Sequence, residues 1–354
     1  MSLLLQSVGL NLQVREDQTN CEIKVSDVVM DNAQWQKQIV SSKMSSKKIM
    51  INADPGIDDA QAIFMAVARP DIEIISLHIH HGNTTRPNAM KNALRILQAC
   101  NSLKLPVFQG SDHALMTQLV KGDDYFGTDG FGNAPDPNVP SLELVQKEHS
   151  VWTMIENVKK YPGQITLVAM GPLTDLALAH RLYPLFSQQL KSCYIMGGNY
   201  QAKGNITRTA EFNAYLDPEA SKIVLTEFQC EISLFPWELC VDSGMPWDFY
   251  DKLRNKSGKE AELMRVIEKN LTSKWKKKPS YVICDELAMA GAIEESTVKE
   301  FKHVSLDVEL TGQFTRGQFV IDWDNRCKDA VKIRLVTKMN MDRVMEMLLD
   351  TYGN

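Results

Sequence analysis

The sequence predicts an α/β fold with a mostly parallel β-sheet and helices on both of its faces. From Lys48 onward, short apolar runs of strand type alternate with longer segments of helical periodicity, the order expected for parallel strands joined by helices. The chain has 354 residues, of which 44% are hydrophobic and 23% are charged, so it can bury a sizeable core.

The first strand is predicted at 48–51, and helical spacing follows as far as Pro70. Between them, Pro55 and Gly56 supply a tight turn, because proline fixes one backbone dihedral and glycine tolerates conformations that other residues avoid. Further strands are predicted at 72–80, 106–108, 165–169, 192–196, 231–235 and 330–336. Helices are predicted at 87–100, 142–160, 246–255, 259–274 and 340–349, and others begin near residues 173, 217 and 287.

Two alternating segments near the C-terminus, at 304–310 and 318–323, predict a β-hairpin. Asp217 followed by Pro218 is typical of a helix start, so we assign Asp217 a capping role. Residues 1–47 form a polar, weakly periodic extension that we expect to be partly disordered. A single domain is predicted at 48–354.

The turn after the first strand carries three carboxylates, on Asp54, Asp58 and Asp59. A capping aspartate with acidic residues in the first turn of a helix is the simplest alternative, because a helix N-terminus accommodates acids. Three like charges so close together must be paired, protonated or bound to a cation. Because the turn contains no Lys or Arg, we favour a hard divalent cation as the partner.

Other polar or glycine-rich positions directly follow predicted strands. They are Asn83, Met170 and the run Gly197, Gly198 and Asn199. In parallel sheets, ligands bind outside the carboxyl ends of the strands. We therefore expect these positions to meet Asp54 at one edge of the sheet and to form a single site.

A long loop at 110–140 is rich in Gly, Asp, Asn and Pro, and loops of this length are commonly functional. Its segment 125–132 combines aromatic residues with glycines, which suits a substrate lid. An ordinary surface loop is the alternative.

The formal net charge of −5 predicts no broad basic surface, so we expect neither nucleic acid nor an anionic membrane as a partner. The seven cysteines are dispersed and include no CxxC pair, which is typical of reduced thiols. The start of the chain lacks the basic region of a secretory signal, and no apolar run has the length of a membrane span. These features favour a cytoplasmic protein.

The segment Asp54–Ala60, DPGIDDA, resembles the N-terminal signature of the ribonucleoside hydrolases, also called inosine–uridine preferring nucleoside hydrolases. Further segments agree with this family in the same order: Gly82–Asn83, Met170–Thr174, Met196–Gly198, Gly204–Asn205, Ala210–Asn213, Asp217–Ala220 and Asp285. The resemblance covers roughly 48–350. It implies a Rossmann-like fold, a bound calcium ion and a homodimer or homotetramer.

The resemblance also implies roles for individual residues. Asp54, Asp59 and Asp285 would supply carboxylate oxygens to Ca²⁺, and Met170 would supply its backbone carbonyl. Asp54 would in addition be the catalytic general base. Contacts with the nucleoside would fall to a set of polar or cavity-facing residues: Asp58, Asn83, Met196, Asn205, Glu211, Asn213 and Asp285.

One position departs from the family pattern. The residue before the last calcium aspartate is usually histidine, for protonation of the leaving base, or tryptophan, for stacking on it, but here it is Cys284. A thiol of ordinary pKa is a weak candidate acid, and it cannot stack. Four aromatic residues are alternative stacking partners: Phe126, Phe131, Trp275 and Tyr281. The preference for purine or pyrimidine bases stays open.

We predict a calcium-dependent N-glycosyl hydrolase of nucleoside metabolism and purine salvage, which converts a ribonucleoside and water to ribose and free base. A metal ion can orient the ribose hydroxyls and lower the pKa of a bound water, and a nearby carboxylate can take the proton. Two alternatives are a catalytically impaired nucleoside-binding protein of the same fold and a magnesium-dependent phosphohydrolase. The second would need cations for its phosphate, which the acidic turn lacks.

Overall fold

The computed structural model describes residues 46–116 and 124–352. The strands in this part of the chain are β1 (Lys47–Ala53), β2 (Ile72–Ile79), β3 (Val107–Gln109), β4 (Gln146–His149), β5 (Ile165–Ala169), β6 (Leu190–Met196), β7 (Glu231–Phe235), β8 (Val298–Val308), β9 (Phe319–Asp322) and β10 (Ile333–Met339). They form one sheet in the order β4-β3-β2-β1-β5-β6-β7-β10-β8-β9.

Helices connect most of these strands. They are α1 (Ile57–Val67), α2 (Arg86–Ala99), α3 (Ser150–Lys160), α4 (Thr174–Leu182), α5 (Phe212–Leu216), α6 (Pro218–Glu227), α7 (Trp237–Asp242), α8 (Trp247–Arg254), α9 (Lys259–Glu268), α10 (Thr272–Trp275), α11 (Asp285–Ile293) and α12 (Met341–Thr351). The predicted α/β class is confirmed.

The strand order reverses beside β1, which pairs in parallel with both β2 and β5. Such a reversal opens a crevice at the carboxyl ends of the two neighbouring strands, where α/β sheets bind ligands. Pairing stays parallel through β6, β7 and β10. The predicted hairpin is confirmed as the antiparallel pair β8 and β9, and β8 also pairs antiparallel with β10.

Both faces of the sheet are covered by helices. Along β1, Ile49 and Ile51 join one buried apolar cluster, which includes residues of α1, α2 and α11. Met50, between them, joins a second cluster with residues of α3, α4 and α6. This alternation follows from the two-residue period of a strand, and it explains why the central strands are apolar throughout.

The predicted helix at 142–160 is wrong in its first part. Leu142–Leu144 is a short 3₁₀ turn, and Gln146–His149 forms β4, which pairs in parallel with β3. The helix begins only at Ser150, where the side chain of His149 accepts a hydrogen bond from Val151 N. The predicted helix at 259–274 is likewise divided into α9 and α10.

The capping role of Asp217 is confirmed, because its Oδ1 accepts a hydrogen bond from Ala220 N at 3.0 Å. The predicted N-terminal extension lies almost entirely outside the described residues, and so does 117–123 of the long loop. In the described part of the chain, no helix is long and apolar enough to cross a membrane.

Candidate active site

Four carboxylates meet at the crevice beside β1. Asp54 directly follows β1, Asp58 and Asp59 lie in the first turn of α1, and Asp285 is the first residue of α11. Oxygens of Asp58, Asp59 and Asp285 all lie within 4.8 Å of one another. Two helix N-termini thus bring acids from distant parts of the sequence to one place, and their partial positive charge favours the ionised form.

Asp54 is fully buried and closely surrounded. Its Oδ2 accepts a hydrogen bond of 2.6 Å from Asn83 N. A Cβ atom at Gly82 would lie 1.9 Å from Asp54 Oδ2, and one at Gly171 would lie 2.3 Å from Oδ1, so both approaches require glycine. Oδ1 has no hydrogen-bond partner among the residues that the structure describes.

Asp59 is fully buried as well and shares one partner with Asp54. Its Oδ2 accepts hydrogen bonds from Gly56 N at 2.8 Å and from Asn83 Nδ2 at 3.2 Å. Its Oδ1 has no partner within the described ranges. Asn83 therefore bridges the two carboxylates, and each retains one oxygen free to bind a cation.

Burial raises the pKa of Asp54, Asp59 and Asp285 well above the ordinary range, and repulsion between the carboxylates raises it further. Burial also raises the pKa of Asp58, to about 6. A cation that contacted the unpaired oxygens would offset both effects. The donors are oxygens only, which suits a hard divalent metal ion.

Glu211 and Asn213 lie on the other side of the crevice, at the start of α5. Glu211 accepts hydrogen bonds from Gly198 N at 2.7 Å and Asn213 N at 3.0 Å. Burial raises its pKa to about 7, although these bonds and one from the side chain of Asn205 act in the opposite direction. Asn213 Nδ2 lies 3.4 Å from Met170 O and 3.3 Å from Met196 O.

A cavity of about 270 Å³ opens in front of these groups. Asp54 and Asp59 lie behind its wall, and Asn83 joins them to it. The other residues of the predicted site all line this cavity: Asp58, Asn83, Met170, Met196, Asn205, Glu211, Asn213 and Asp285. The structure thus brings every residue of the predicted site to one place.

The far end of the cavity is an aromatic wall, which we define as Tyr125, Phe126, Trp237, Trp247, Trp275 and Tyr281. Of the predicted stacking candidates, Phe126, Trp275 and Tyr281 belong to it. Phe131 does not, because it is fully buried in the core, with the guanidinium of Arg95 5.0 Å from its ring centroid. The prediction for Phe131 is therefore wrong.

Sequence reasoning missed other residues that line the cavity. Trp237 begins the helix after β7, and the rule that ligands bind at the carboxyl ends of strands could have indicated it. Trp247 and Lys278 follow no strand of the parallel sheet, so no sequence signal singled them out.

Cys284 also lines the cavity, and its thiol interacts with that of Cys240. The hydrogen bond with Cys240, and then burial, raise the pKa of Cys284 well above its ordinary value. The residue that replaces the usual histidine or tryptophan is therefore a neutral thiol, and a weaker acid than an exposed cysteine.

Comparison with known proteins agrees with this geometry. Residues 49–346 match the family model described as inosine-uridine preferring nucleoside hydrolase. The chain belongs to this family. As a nucleoside hydrolase, it is an N-glycosyl hydrolase, an enzyme that cleaves the bond between ribose and base in ribonucleosides.

Individual relatives support this assignment. The chain is 37% identical to a probable uridine nucleosidase 2 from Arabidopsis thaliana, over 62% of this chain and 68% of that protein. It is 29% identical to an inosine-uridine preferring nucleoside hydrolase from Crithidia fasciculata, over 86% of this chain and 96% of that protein.

Solved structures of nucleoside hydrolases share the fold. An inosine-guanosine nucleoside hydrolase superposes with a TM-score of 0.79 and 32% identity, covering 86% of this chain and 98% of the other. A plant nucleoside hydrolase superposes with a TM-score of 0.81 and 26% identity, covering 87% and 100%.

Proposed function

We propose that this enzyme is a calcium-dependent ribonucleoside hydrolase in which Asp54 is the general base. One observation carries the proposal. Asp54 and Asp59 are buried side by side behind the cavity, and each keeps one carboxylate oxygen without a partner in the described part of the chain. Buried unpaired carboxylates are costly unless a cation compensates them.

The ligands of Ca²⁺ would be carboxylate oxygens of Asp54, Asp59 and Asp285 and the carbonyl oxygen of Met170. Calcium suits carboxylate and carbonyl oxygens in an irregular arrangement, whereas zinc prefers nitrogen and sulfur donors. When bound, Ca²⁺ would hold the 2′ and 3′ hydroxyls of the ribose and lower the pKa of a water molecule.

Side chains of the protein would carry out proton transfer, hold the sugar and stabilise the charge that develops on it. Asp54 takes the proton of the attacking water, and Asn83 fixes the Asp54 carboxylate through the 2.6 Å hydrogen bond. Asn205, Glu211 and Asn213 hold the sugar, where small displacements are costly. Positive charge develops on the ribose as the bond to the base breaks, and the surrounding carboxylates stabilise it.

The aromatic wall is the natural end of the cavity for the base, because purines and pyrimidines both present a π-face for stacking. The relatives are named for uridine, for inosine and uridine, and for inosine and guanosine. We infer that inosine and uridine are the substrates to test first.

The six cysteines in the described part of the chain form no disulfide, which supports a role in cytoplasmic nucleoside salvage.

The direct test measures ribose release from inosine, adenosine, guanosine, uridine and cytidine, before and after complete removal of metal. We expect release that disappears with the metal and returns with Ca²⁺. Asp54→Asn should lower turnover by roughly 1,000-fold or more while calcium-free thermal unfolding stays cooperative, because it removes both the proposed base and a charged metal ligand. Asp324→Asn, at an exposed position, is the matched control.

Two outcomes would contradict the proposal. Nucleoside binding without ribose release, in protein that demonstrably holds calcium, would favour the binding-only alternative. Release of phosphate from nucleotides, without release of base, would favour a phosphohydrolase. The family assignment already weighs against the second outcome.

A further inference from the structure

A hydrogen-bond donor without a partner lies in the aromatic wall. The side chain of Trp275 is buried, with 3% of its surface exposed. Its indole Nε1–H makes no hydrogen bond within 46–116 and 124–352. Buried donors are nearly always satisfied, so one left unpaired beside a cavity points to a ligand or water that enters that cavity.

The neighbouring Trp247 provides a contrast in the same wall. Its Nε1–H donates to Lys278 O at 2.9 Å, so this indole is satisfied by the chain itself. Both tryptophans line the cavity, but only for Trp275 is the donor nitrogen buried and unpaired in the described structure.

Packing fixes the plane of the Trp275 ring. Tyr125 stacks on it with ring centroids 6.0 Å apart and an interplanar angle of 25°. Phe126 meets it edge to face at 6.1 Å, and Tyr281 lies at 5.9 Å. The indole therefore has a defined orientation, as a donor that serves a bound ligand needs.

Two other groups near the base end, the phenol of Tyr281 and the thiol of Cys284, are already engaged. The phenol of Tyr281 donates to Glu268 Oε1 at 3.1 Å, and Glu268 forms a buried ion pair with Arg254, with a 2.5 Å bond to its Nε. The thiol of Cys284 interacts with Cys240. The Tyr281 hydroxyl and the Cys284 thiol are therefore both engaged within the chain, and neither is free to assist the leaving base.

Resting on the proposed function, we propose that Trp275 donates its indole N–H to a ring nitrogen or carbonyl oxygen of the nucleobase and stabilises the base as it leaves. Water adds to C1′ of the ribose, and its proton goes to Asp54. The electron pair of the broken C1′–N bond stays on the base, which then takes a proton from solvent. The indole keeps its own proton throughout, because it is far too weak an acid to transfer it.

This hydrogen bond strengthens as negative charge develops on the base, so it acts on the transition state more than on the bound substrate. It should therefore raise kcat and leave KM nearly unchanged. The hydrogen bond should also matter only for poor leaving groups, such as a nucleobase, that must be stabilised as they depart. A nitrophenyl riboside, whose nitrophenolate departs readily, should not depend on it.

The test compares Trp275→Phe with the unaltered enzyme on inosine, uridine and a nitrophenyl riboside. We expect kcat for the two nucleosides to fall on the order of 10-fold or more, with KM changed less than about 3-fold. For the nitrophenyl riboside, kcat should change by less than about 2-fold. Trp247→Phe makes the same exchange in the same wall, and its effect should be equal on all three substrates.

An equal loss on nucleosides and nitrophenyl riboside, or no loss at all, would overturn the role of Trp275. If Trp275→Phe does not fold, benzothienylalanine at position 275 keeps the ring size without the N–H and gives the same comparison. An unaltered enzyme that releases no ribose from nucleosides would instead overturn the proposed function.

Discussion

Two glycines shape the pocket that holds the Asp54 carboxylate. Gly82 and Gly171 come from loops after β2 and β5, on either side of β1, and their backbones approach both oxygens. Asp54 therefore has little freedom to rotate, and the hydrogen bond from Asn83 N fixes its remaining orientation. At the scale of single residues, the site depends on the absence of a side chain at Gly82 and Gly171 as much as on the side chains that it contains.

Gly171→Ala should inactivate the enzyme without unfolding it. Its Cβ would lie 2.3 Å from Asp54 Oδ1 and 2.7 Å from His80 Cε1, so the carboxylate has to shift. A shift of about 1 Å in a catalytic group costs roughly 100-fold in rate, which kcat/KM for inosine would report. Gly163→Ala is the control, because its Cβ would meet nothing within 4 Å, and it adds only local backbone strain at a φ of +71°. Equal activity of the two variants would show that Asp54 tolerates displacement.

Only part of the predicted site follows from elements of the sequence: strand ends indicate Asp54, Asn83 and Met170, and the acidic turn indicates Asp58 and Asp59. The other site residues rest on the resemblance to the nucleoside hydrolases. Sequence reasoning failed for Phe131, whose aromatic character suits both a core and a stacking site, and only burial distinguishes the two. The unpaired donor of Trp275 could not be predicted at all. Whether an acceptor lies near the indole nitrogen is decided by the folded chain, and no pattern in the sequence indicates it.

At the scale of helices, a buried polar bridge joins the two helices that carry the carboxylates. Gln61 of α1 donates to Glu286 Oε1 of α11 at 2.8 Å. Tyr352, directly after α12, donates its hydroxyl to Gln61 Oε1 at 2.7 Å. All three side chains are almost fully buried. The bridge therefore links α1, with Asp59 in its first turn, to α11, with Asp285 as its first residue, in addition to the direct packing of the two helices.

Gln61→Leu should lower both stability and calcium affinity. It leaves Glu286 Oε1 without its donor and the Tyr352 hydroxyl without its acceptor. Glu286 Oε2 keeps its bond from Cys284 N, so the expected cost is about 1–3 kcal/mol in free energy of unfolding. Urea unfolding and calcium titration measure the two effects. Gln98→Leu makes the same exchange at an exposed position of α2 and should change neither by much. If Gln61→Leu were less stable but bound calcium with normal affinity, the bridge would have no role in forming the metal site.

The central strands were predictable because both of their faces are buried and their sequences are apolar throughout. The edge strand β4 was not, because Gln146–His149 is polar and mostly exposed. It forms through backbone pairing with β3, at Phe108 and Gln109. Such a strand has no side-chain pattern that distinguishes it from the start of the helix that follows.

At the scale of the whole molecule, a buried polar network lies under the sheet next to β2. His78 Nδ1 lies 3.1 Å from Ser150 Oγ, which in turn donates to Asp175 Oδ2 at 2.7 Å. Burial lowers the pKa of His78 to about 3 and that of His80 to about 4. Burial alone would raise the pKa of Asp175, but His80 and the hydroxyls of Ser111 and Ser150 outweigh it and lower the pKa.

This network should make the protein acid-labile. The pKa of His78 is about 3 in the folded chain and about 6.5 in the unfolded chain, so the unfolded state binds more protons below pH 6.5. Its contribution to stability is complete above that pH and is lost as the pH falls towards the folded value. The free energy of unfolding should fall by up to about 1.4 kcal/mol per pH unit from this group.

Urea unfolding between about pH 7.5 and about pH 4.5, with calcium present, measures this effect. His78→Gln removes the titrating group, so its stability should depend less steeply on pH than that of the unaltered protein. His303→Gln makes the same exchange at an exposed position of β8 and serves as the control. Parallel slopes for the unaltered protein and His78→Gln would contradict the prediction.

Calcium should stabilise the fold as a whole, because the proposed metal site is a cluster of carboxylates that only the folded chain assembles. At free calcium about 1,000 times the dissociation constant, linkage gives about 4 kcal/mol. Thermal unfolding with calcium and with a strong chelator reports the difference. Asp59→Asn removes a ligand charge and should abolish most of the calcium-dependent shift. A shift of the same size in Asp59→Asn would exclude Asp59 from the metal site.

The hydrogen bond between Tyr352 and Gln61 joins residues 291 positions apart. During synthesis, the helix with Asp58 and Asp59 leaves the ribosome long before its last support exists. The polar bridge between the two helices that carry the proposed metal ligands is therefore complete only when α12 docks. Calcium affinity would therefore report the docking of α12 after release of the chain, and polypeptides truncated before Tyr352 would be poor competitors for the ion.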